Sequence, residues 1–330
     1  MSRVEKLLLL LLPLPFGIGF LAPGPVLEPI AAETVFAFTD PEIVESSGLV
    51  ARDGLVVTVN DSGDSNRIFT VDPATGDTVG VTRWQGEADD IEALAPAGDG
   101  KVYVGDTGDN DRTRDSVRVA EVPFGRGDRE VRVPTYELTY PDGAQDAETL
   151  LTDPRTGRLY VVSKGFIGRV YAAPETLDPD GPNLLEPVDE VLGIATDGAF
   201  LPDGRHLIVR NYTQAAVYTW PALDRVALLD LPAQPQGEGL AVTEDGEILL
   251  SSEGQGGDVL RVELPDAVRA EIDAGDADPV PPGSPADTPE ASPVVEDDDS
   301  SRWPWVSGGA VVLVAVGAGV TGLIRARRGT

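Results

Sequence analysis

The sequence predicts an all-β protein, a β-propeller of five blades. One strand-rich unit recurs five times between residues 33 and 265, and tight turns rich in Gly, Asp and Pro join its strands. The repeat length of about 40–57 residues, with up to four strands per unit, is typical of propeller blades. Because one unit alone cannot bury both faces of its sheet, neighbouring units must cover them.

Each unit opens with a short acidic or small-residue signature that leads into an apolar strand. The five signatures are Glu45-Ser46-Ser47-Gly48-Leu49, Asp90-Ile91-Glu92-Ala93-Leu94, Asp146-Ala147-Glu148-Thr149-Leu150, Thr196-Asp197-Gly198-Ala199-Phe200 and Gly237-Glu238-Gly239-Leu240-Ala241. Second strands follow (LVVTVN, KVYVGD, RLYVVSK, HLIVRN and EILLSS), and third strands come after a polar break (RIFTVDP, VRVAEVP, RVYAAPE, AVYTWPA and VLRVELP).

A fourth strand is visible in the first four units, for example in residues 133–140, but not in the last. The segment VFAFT at residues 35–39 forms an unpaired strand before the first unit. Pairing it with the last unit would close the ring and remove the exposed sheet edges. Five blades are therefore predicted, and a ring of six, which needs further strands, is the alternative.

Composition excludes several classes of function. The 330 residues carry a formal net charge of -31, with no cysteine and one histidine, His206. Zinc, iron–sulfur and thiolate chemistry lack their ligands here. The acidic balance argues against nucleic acid as a partner, since phosphates need a basic surface. His206 follows Asp203-Gly204-Arg205 and is interpreted as a turn residue rather than a catalytic base.

Residues 1–32 are predicted to be a secretory signal peptide. Arg3 and Lys6 precede the apolar run LLLLLLPLPFGIGFLAP, and small residues stand around Ala32, a plausible cleavage point. Pro13 and Pro15 interrupt the run, which disfavours a permanent transmembrane helix.

The other end predicts a membrane anchor. Residues 266–302 are rich in Asp, Glu, Pro, Ala and Ser and are expected to form a disordered stalk. Residues 303–324 are predicted to be a single transmembrane helix, because the uncharged run 306–324 would reach about 28 Å. Two tryptophans precede this run and three arginines follow it, so residues 325–330 are predicted to be cytoplasmic and the propeller exported, outside the cell.

Polar side chains concentrate at one face of the predicted disc. In a blade whose first two strands are antiparallel, the start of the first and the end of the second lie on the same face. Starts supply Glu45, Asp90, Glu92, Asp146, Glu148, Asp197 and Glu238; ends supply Asn60, Asp61, Asp64, Asp106, Asp109, Asn110, Arg112, Lys164, Arg210, Asn211 and Glu253.

Clustered carboxylate and amide oxygens suit calcium, and interleaved cations suit an anionic ligand. The metal candidates are Glu45, Asn60, Asp61, Asp64, Asp90, Asp106, Asp109 and Asn110. The ligand-binding candidates are Arg112, Asp146, Glu148, Lys164, Arg210, Asn211, Glu238 and Glu253. The structural alternative is that Asp and Asn serve tight turns by accepting hydrogen bonds from backbone N–H groups.

Several stretches carry a resemblance to a known family. ESSGL, VNDSGDSNRIF, DDIEAL, VYVGDTGDNDR, YPDGAQDAETLLTDPRTGRLYVVSK, DGRHLIVRNY and SSEG resemble bacterial extracytoplasmic β-propellers of the phytase-like esterase and SdiA-regulated type, over about residues 40–260. The resemblance implies a propeller, export and calcium-assisted attack on phosphoesters. The positions within the matching motifs are Asp61, Asp106, Asp109, Asn110, Arg112, Asp146, Glu148 and Lys164. The β-propeller phytases have six blades and a denser calcium cluster, and the chain departs from them in both.

The leading hypothesis is a membrane-anchored module that binds an extracellular ligand or partner through its acidic face. The first alternative is a calcium-dependent phosphoesterase or other hydrolase on the same face, with Lys164, Arg112 and Arg210 holding phosphate. The second is a structural spacer of the cell envelope. Whether the chain is an enzyme stays open at this point, since a propeller fold does not select a function.

Overall fold

The computed structural model describes residues 29–61, 63–86 and 88–275. This part of the chain forms twenty-two strands and one helix. In chain order they are β1 (Ala32–Ala37), β2 (Ser46–Arg52), β3 (Leu55–Asn60), β4 (Arg67–Val71), β5 (Thr78–Trp84), β6 (Ile91–Gly98), β7 (Lys101–Asp106), β8 (Val117–Pro123), β9 (Arg129–Val131), β10 (Thr135–Thr139), β11 (Ala147–Thr152), β12 (Leu159–Ser163), β13 (Gly168–Ala172), β14 (Asn183–Leu184), β15 (Glu186–Val191), β16 (Asp197–Phe200), β17 (His206–Arg210), β18 (Gln214–Thr219), β19 (Arg225–Asp230), β20 (Gly237–Val242), β21 (Ile248–Ser252), β22 (Asp258–Val262) and α1 (Asp266–Gly275).

The strands form five sheets, which are the blades of a propeller. From the innermost strand outwards, blade 1 is β2-β3-β4-β5-β9, blade 2 is β6-β7-β8-β10-β14, blade 3 is β11-β12-β13-β15, blade 4 is β16-β17-β18-β19 and blade 5 is β20-β21-β22-β1. Each innermost strand contacts the innermost strands of the next and the previous blade, so β2, β6, β11, β16 and β20 form a closed ring. The prediction of five blades is confirmed.

The ring closes through the beginning of the described chain. β1 pairs antiparallel with β22, with Phe36 opposite Val259 and Ala37 opposite Asp258. Blade 5 thus takes its outer strand from residues that precede blade 1. This is the closure that the unpaired strand before the first unit predicts.

Two short strands that the sequence analysis did not predict connect neighbouring blades. β9 lies in the chain between two strands of blade 2 but pairs in parallel with β5 of blade 1, with Arg129 opposite Thr82. β14 comes from blade 3 and pairs in parallel with β10 of blade 2, with Asn183 opposite Leu138. Each therefore extends the outer edge of the preceding blade with backbone from the following one.

The apolar core is divided into five clusters, one between each pair of adjacent blades. Strands alternate their side chains between the two faces of a sheet, so each blade supplies residues to two clusters. On β17, for example, Leu207 and Val209 pack towards blade 3, whereas Ile208 packs towards blade 5. Burial against both neighbours explains why the second strands are almost continuously apolar.

Helix α1 differs from the expected stalk. Its ten residues fall within the segment predicted to be disordered, but Val268 and Ile272 lie four apart on one face and join the cluster between blades 4 and 5. Through this apolar pair the helix packs against the propeller. The remaining predicted segments, namely the signal peptide and residues 276–330, lie outside the described residues apart from the end of the former. No helix in the described ranges is long and apolar enough to cross a membrane.

Candidate functional site

The first two strands of every blade are paired so that the predicted site positions lie at one end of each hairpin. The terminal pairs are Ser46 with Asn60, Ile91 with Asp106, Ala147 with Ser163, Asp197 with Arg210 and Gly237 with Ser252. These five ends surround the central channel, since the first strands are the innermost. We call this end of the channel the channel mouth.

In four blades the first strand carries a β-bulge next to its terminal pair. The bulges fall at Ser47, Glu92, Glu148 and Glu238, whereas the pairing in blade 4 is regular. A bulge adds one residue to a strand and changes the direction of its side chain, which is why bulges are frequent beside binding sites. All three glutamates are buried.

Asp61, Asp90 and Glu92 form the tightest acidic group at the channel mouth. One carboxylate oxygen from each lies within 4.8 Å of the other two. Asp61 follows the last strand residue of the blade 1 hairpin, and it hydrogen-bonds to Glu92 of blade 2. The Ser47 hydroxyl donates to Glu92 Oε2 at 3.1 Å. The group therefore spans the seam between two blades.

Charge repulsion in this group is strong. Burial, and then the charges of Glu148 and Asp61, raise the pKa of Glu92 far above its usual range. Burial and the charge of Asp61 also raise the pKa of Asp90 to about 6. The Asp90 Oδ1 atom is buried without a hydrogen-bond partner. The three carboxylates therefore favour a proton or a cation between them.

Gly108, within the VGDTGDN stretch, makes room for these carboxylates. A Cβ atom at this position would lie 2.4 Å from Asp90 Oδ2 and 2.9 Å from Glu92 Cγ. Its backbone N–H also donates to the carbonyl oxygen of Asp90 at 3.2 Å. The glycine is thus required by a close approach of backbone to acidic side chains.

Blade 3 supplies a cation beside the acidic group. Lys164 Nζ donates to Glu148 Oε1, and it lies 5.3 Å from the centre of the Tyr212 ring of blade 4. The second oxygen, Glu148 Oε2, is buried without a hydrogen-bond partner. Although Lys164 opposes the shift, burial raises the pKa of Glu148 to about 8.

Blade 5 contributes two more acidic side chains to the channel mouth. Glu238 hydrogen-bonds to Glu253, and burial raises the pKa of Glu238 to about 7, although the charge of Lys164 lowers it. Burial, and then the charge of Asp61, raise the pKa of Glu253. Charge interactions and hydrogen bonds therefore connect residues of blades 1, 2, 3 and 5 around the channel mouth. We call this set the carboxylate ring: Asp61, Asp90, Glu92, Glu148, Lys164, Glu238 and Glu253.

In blade 1, two other predicted metal candidates make contacts within the loops instead of facing the acidic group. The Asn60 side-chain oxygen accepts from the N–H groups of Val44 and Glu45, at 3.0 and 3.2 Å. Asp64 forms an ion pair with Arg67 at 2.8 Å, and this hydrogen-bonded pair holds the pKa of Asp64 below its usual range despite burial. Both residues therefore fit the structural alternative, in which Asp and Asn side chains support tight turns.

The same holds in blades 2 and 3. Asp106 Oδ1 accepts from the N–H groups of Asp89 and Asp90 and pairs with Arg114 at 3.0 Å. Asp109 accepts from two N–H groups of its own loop, and Asp146 Oδ1 accepts the N–H of Asp109 at 2.9 Å. These carboxylates fix the loops that carry the carboxylate ring.

Arg210, a predicted ligand-binding residue, is fully buried. Its guanidinium donates to the carbonyl oxygens of Asn211 and Gly239 and to the Gln234 side chain. Asn211 caps its own turn by accepting from the N–H groups of Thr213 and Gln214. Arg210 therefore links blades 4 and 5 instead of facing a ligand.

Glu45, Asn110 and Arg112 are exposed at the surface. His206 is buried at the start of β17, and its Nδ1 lies 2.6 Å from Asp203 Oδ2. This pair closes the turn before the strand, as the sequence predicts.

Four residues that matter to the site were missed. They are Ser47, Gly108, Arg114 and Tyr212. Tyr212 could have been found from the sequence, because it stands two residues after the second strand of blade 4, in the region where the other blades carry site candidates. Gly108 stands within the VGDTGDN stretch. The other two are recognised only by their contacts with Glu92 and Asp106.

The chain matches no protein-family model and no curated protein. Its propeller fold is shown by the strand order. The resemblance to phytase-like propellers stays a prediction.

Proposed function

We propose that the propeller is a binding module that holds a calcium ion at its channel mouth through Asp61, Asp90 and Glu92. The observation that carries this proposal is the convergence of three carboxylate oxygens within 4.8 Å of one another. Carboxylate oxygens are hard ligands, which suit Ca²⁺, and the set contains neither nitrogen nor sulfur.

Electrostatics supports a cation at this position. A hydrogen bond between Asp61 and Glu92 needs a proton on one of the two carboxyls. A divalent cation would replace that proton and remove the repulsion among the three groups. The bulge at Glu92 and the space left by Gly108 hold two of the ligands in place.

The cellular setting of the module rests on the sequence. The predicted signal peptide and the predicted C-terminal helix would place the channel mouth outside the cell, tethered to the membrane. Calcium sites with few protein ligands suit such a setting, since extracellular calcium is abundant enough for affinities of about 10⁻⁴–10⁻³ M.

A hydrolase has less support than a binding module. Of the three cations expected to hold phosphate, Arg210 is fully buried among protein acceptors and Lys164 is paired with Glu148. Arg112 alone is exposed. The test below nevertheless includes the hydrolase.

Isothermal titration of the purified full-length chain with CaCl₂ tests the proposal. We expect a site with a dissociation constant in the micromolar to millimolar range. The double variant Asp61→Asn/Glu92→Gln should weaken binding at least tenfold. Phosphate release from p-nitrophenyl phosphate, with calcium and with chelator, is measured on the same samples.

A matched control removes one aspartate and one glutamate elsewhere. Glu175 and Asp180 are exposed on a connection of blade 3, so Glu175→Gln/Asp180→Asn should bind calcium as the parent does. Equal binding by the two double variants, or none by the parent chain, would refute the calcium site. Calcium-dependent phosphate release that the site variant loses would favour the hydrolase instead.

A further inference from the structure

An exposed apolar patch lies beside the carboxylate ring. Phe166 is 98% exposed and Ile167 is 56% exposed, in the loop that follows Lys164 between β12 and β13. Ile194, which is 39% exposed, lies in the connection to blade 4. The two segments touch, since the Ile194 N–H donates to the carbonyl oxygen of Gly165 at 2.6 Å. Large apolar side chains that gather on an exposed surface mark interaction sites.

Glycines allow these two segments to approach each other closely. A Cβ atom at Gly193 would lie 1.9 Å from the carbonyl oxygen of Phe166, and one at Gly168 would lie 2.5 Å from that of Leu192. The backbones therefore approach more closely than residues with side chains allow. Phe166 is presented outwards on a loop whose backbone is braced, and a loop that is already ordered loses less entropy when a partner binds.

Ile194 adds a strained backbone to the patch. Its φ is +56°, a left-handed conformation that β-branched residues rarely adopt. Such strain persists only where the surroundings impose it, and it is concentrated at functional sites. A glycine would fit this position without strain, whereas isoleucine places a partly exposed apolar side chain there.

The charge of the surface around the patch indicates which kind of partner could bind there. The patch adjoins the carboxylate ring on one side, and on the other the exposed Asp189 and Glu190 lie on β15, where Glu190 is opposite Arg169. The whole chain carries a net charge of -31. An anionic membrane would be repelled by this surface, whereas a basic polypeptide would be attracted to it.

We propose that the apolar patch, with the exposed Asp189 and Glu190 beside it, docks a partner polypeptide through a segment in which basic and apolar side chains alternate. The apolar side chains of the partner pack on Phe166, Ile167 and Ile194. Its basic side chains face the exposed carboxylates of Asp189 and Glu190. Aromatic residues at the centre of an interface supply much of its binding energy. This inference does not depend on calcium binding.

Fluorescence anisotropy with three labelled ten-residue peptides tests the proposal on the purified full-length chain at 150 mM NaCl. The probes alternate Lys with Leu, Lys with Ser, and Glu with Leu. We expect the Lys–Leu peptide to bind at least tenfold more tightly than either of the others. Phe166→Ser/Ile167→Ser should weaken its binding at least tenfold.

A matched control changes two exposed apolar residues of the outer strands. Leu184 and Val188 are 58% and 41% exposed, and Leu184→Ser/Val188→Ser should bind the Lys–Leu peptide within twofold of the parent. Ile194→Gly should weaken binding severalfold without lowering the melting temperature, which separates loss of the contact from loss of the fold.

Three results would overturn the proposal. Equal binding of the Lys–Leu and Lys–Ser peptides would show that charge alone acts. Equal loss in the patch and control variants would show that the patch has no special part. Binding to vesicles of phosphatidylcholine and phosphatidylserine that needs Phe166, with no peptide binding, would make the patch a membrane contact.

Discussion

The carboxylate of Asp197 in blade 4 accepts the backbone N–H of Leu49 in blade 1, at 3.2 Å across the central channel. The same oxygen accepts the N–H of Leu240 in blade 5 at 2.7 Å, and the other oxygen accepts that of Gly198. One side chain thus connects three innermost strands. Burial raises the pKa of Asp197 well above its usual range, while its N–H partners and the charge of Arg210 oppose that shift.

Replacing this carboxylate should destabilise the ring. Asp197→Ala leaves buried N–H groups without an acceptor and removes the carboxylate whose charge acts most strongly on Arg210. We therefore expect a loss of about 3–5 kcal/mol in the free energy of unfolding. Urea denaturation followed by tryptophan fluorescence measures it. Asp180→Ala, at an exposed position, should change the value by less than about 0.5 kcal/mol. A similar small change in Asp197→Ala would contradict the structural part assigned to this residue.

Gly108→Ala should impair the calcium site more than the fold. The added Cβ atom would displace the Asp90 carboxylate, which lies 2.4 Å from its position. We expect calcium affinity to fall at least tenfold in isothermal titration. Gly181→Ala is the control, because the nearest atom there is the end of the Asp178 carboxylate at 3.2 Å. Unchanged affinity in Gly108→Ala would place the calcium elsewhere.

Stability without calcium should fall as the pH rises. Glu238 has its pKa raised from an ordinary 4.5 to about 7 by burial. The folded chain therefore keeps a proton that the unfolded chain has lost. This contribution is fully present below about pH 4.5, is lost as the pH rises through 7, and amounts to about 3 kcal/mol at most.

Urea midpoints at pH 5.5 and pH 8 in the presence of chelator measure this dependence. Glu238→Gln should reduce the difference, and saturating calcium should reduce it further if Asp61, Asp90 and Glu92 hold the ion. A calcium-free chain that is more stable at pH 8 than at pH 5.5 would contradict the expected sign. Below about pH 4 a separate loss is expected from Asp64 and Asp203, whose pKa values are lowered by Arg67 and His206 against the effect of burial.

Phe36→Ala should weaken the closure of the ring. Phe36 is buried between blades 1 and 5 and packs edge-on against Phe38, with ring centres 5.7 Å apart. We expect a loss of about 3–5 kcal/mol, the usual cost of removing a buried phenylalanine ring. Limited proteolysis should then cut first near β1. Phe166→Ala, at an exposed position, should leave both stability and cleavage unchanged.

The fold could be predicted because the blades repeat. Five similar units, each beginning with a signature such as Asp90–Leu94 and containing an apolar second strand, allow only a few architectures that bury both faces of every sheet. Even the strand that closes the ring was visible, since the last unit lacked one and the segment before the first had one to spare. β9 and β14 were missed because two or three paired residues leave no periodic pattern.

The sequence predicts which face of the disc carries the site, but not which side chains on that face form it. The sequence places acidic residues at hairpin ends but does not reveal their separate roles. Asp106 accepts hydrogen bonds from backbone N–H groups. A bulge directs Glu92 to the channel mouth instead. That distinction depends on register, where a shift of one residue changes the direction of a side chain. The burial of Arg210 could not be predicted for a different reason, because it depends on contacts with blade 5 that come from a distant part of the chain.

The pairing of β1 with β22 also has a consequence for biosynthesis. Glu33 and Arg261, which form an ion pair at 2.6 Å across these two strands, are 228 residues apart in the chain. A ribosome that makes the chain in order produces β1 among the first strands of the propeller and its partner last. The ring therefore cannot be completed on a partly made chain, and β1 waits without its partner until almost all of the propeller has emerged.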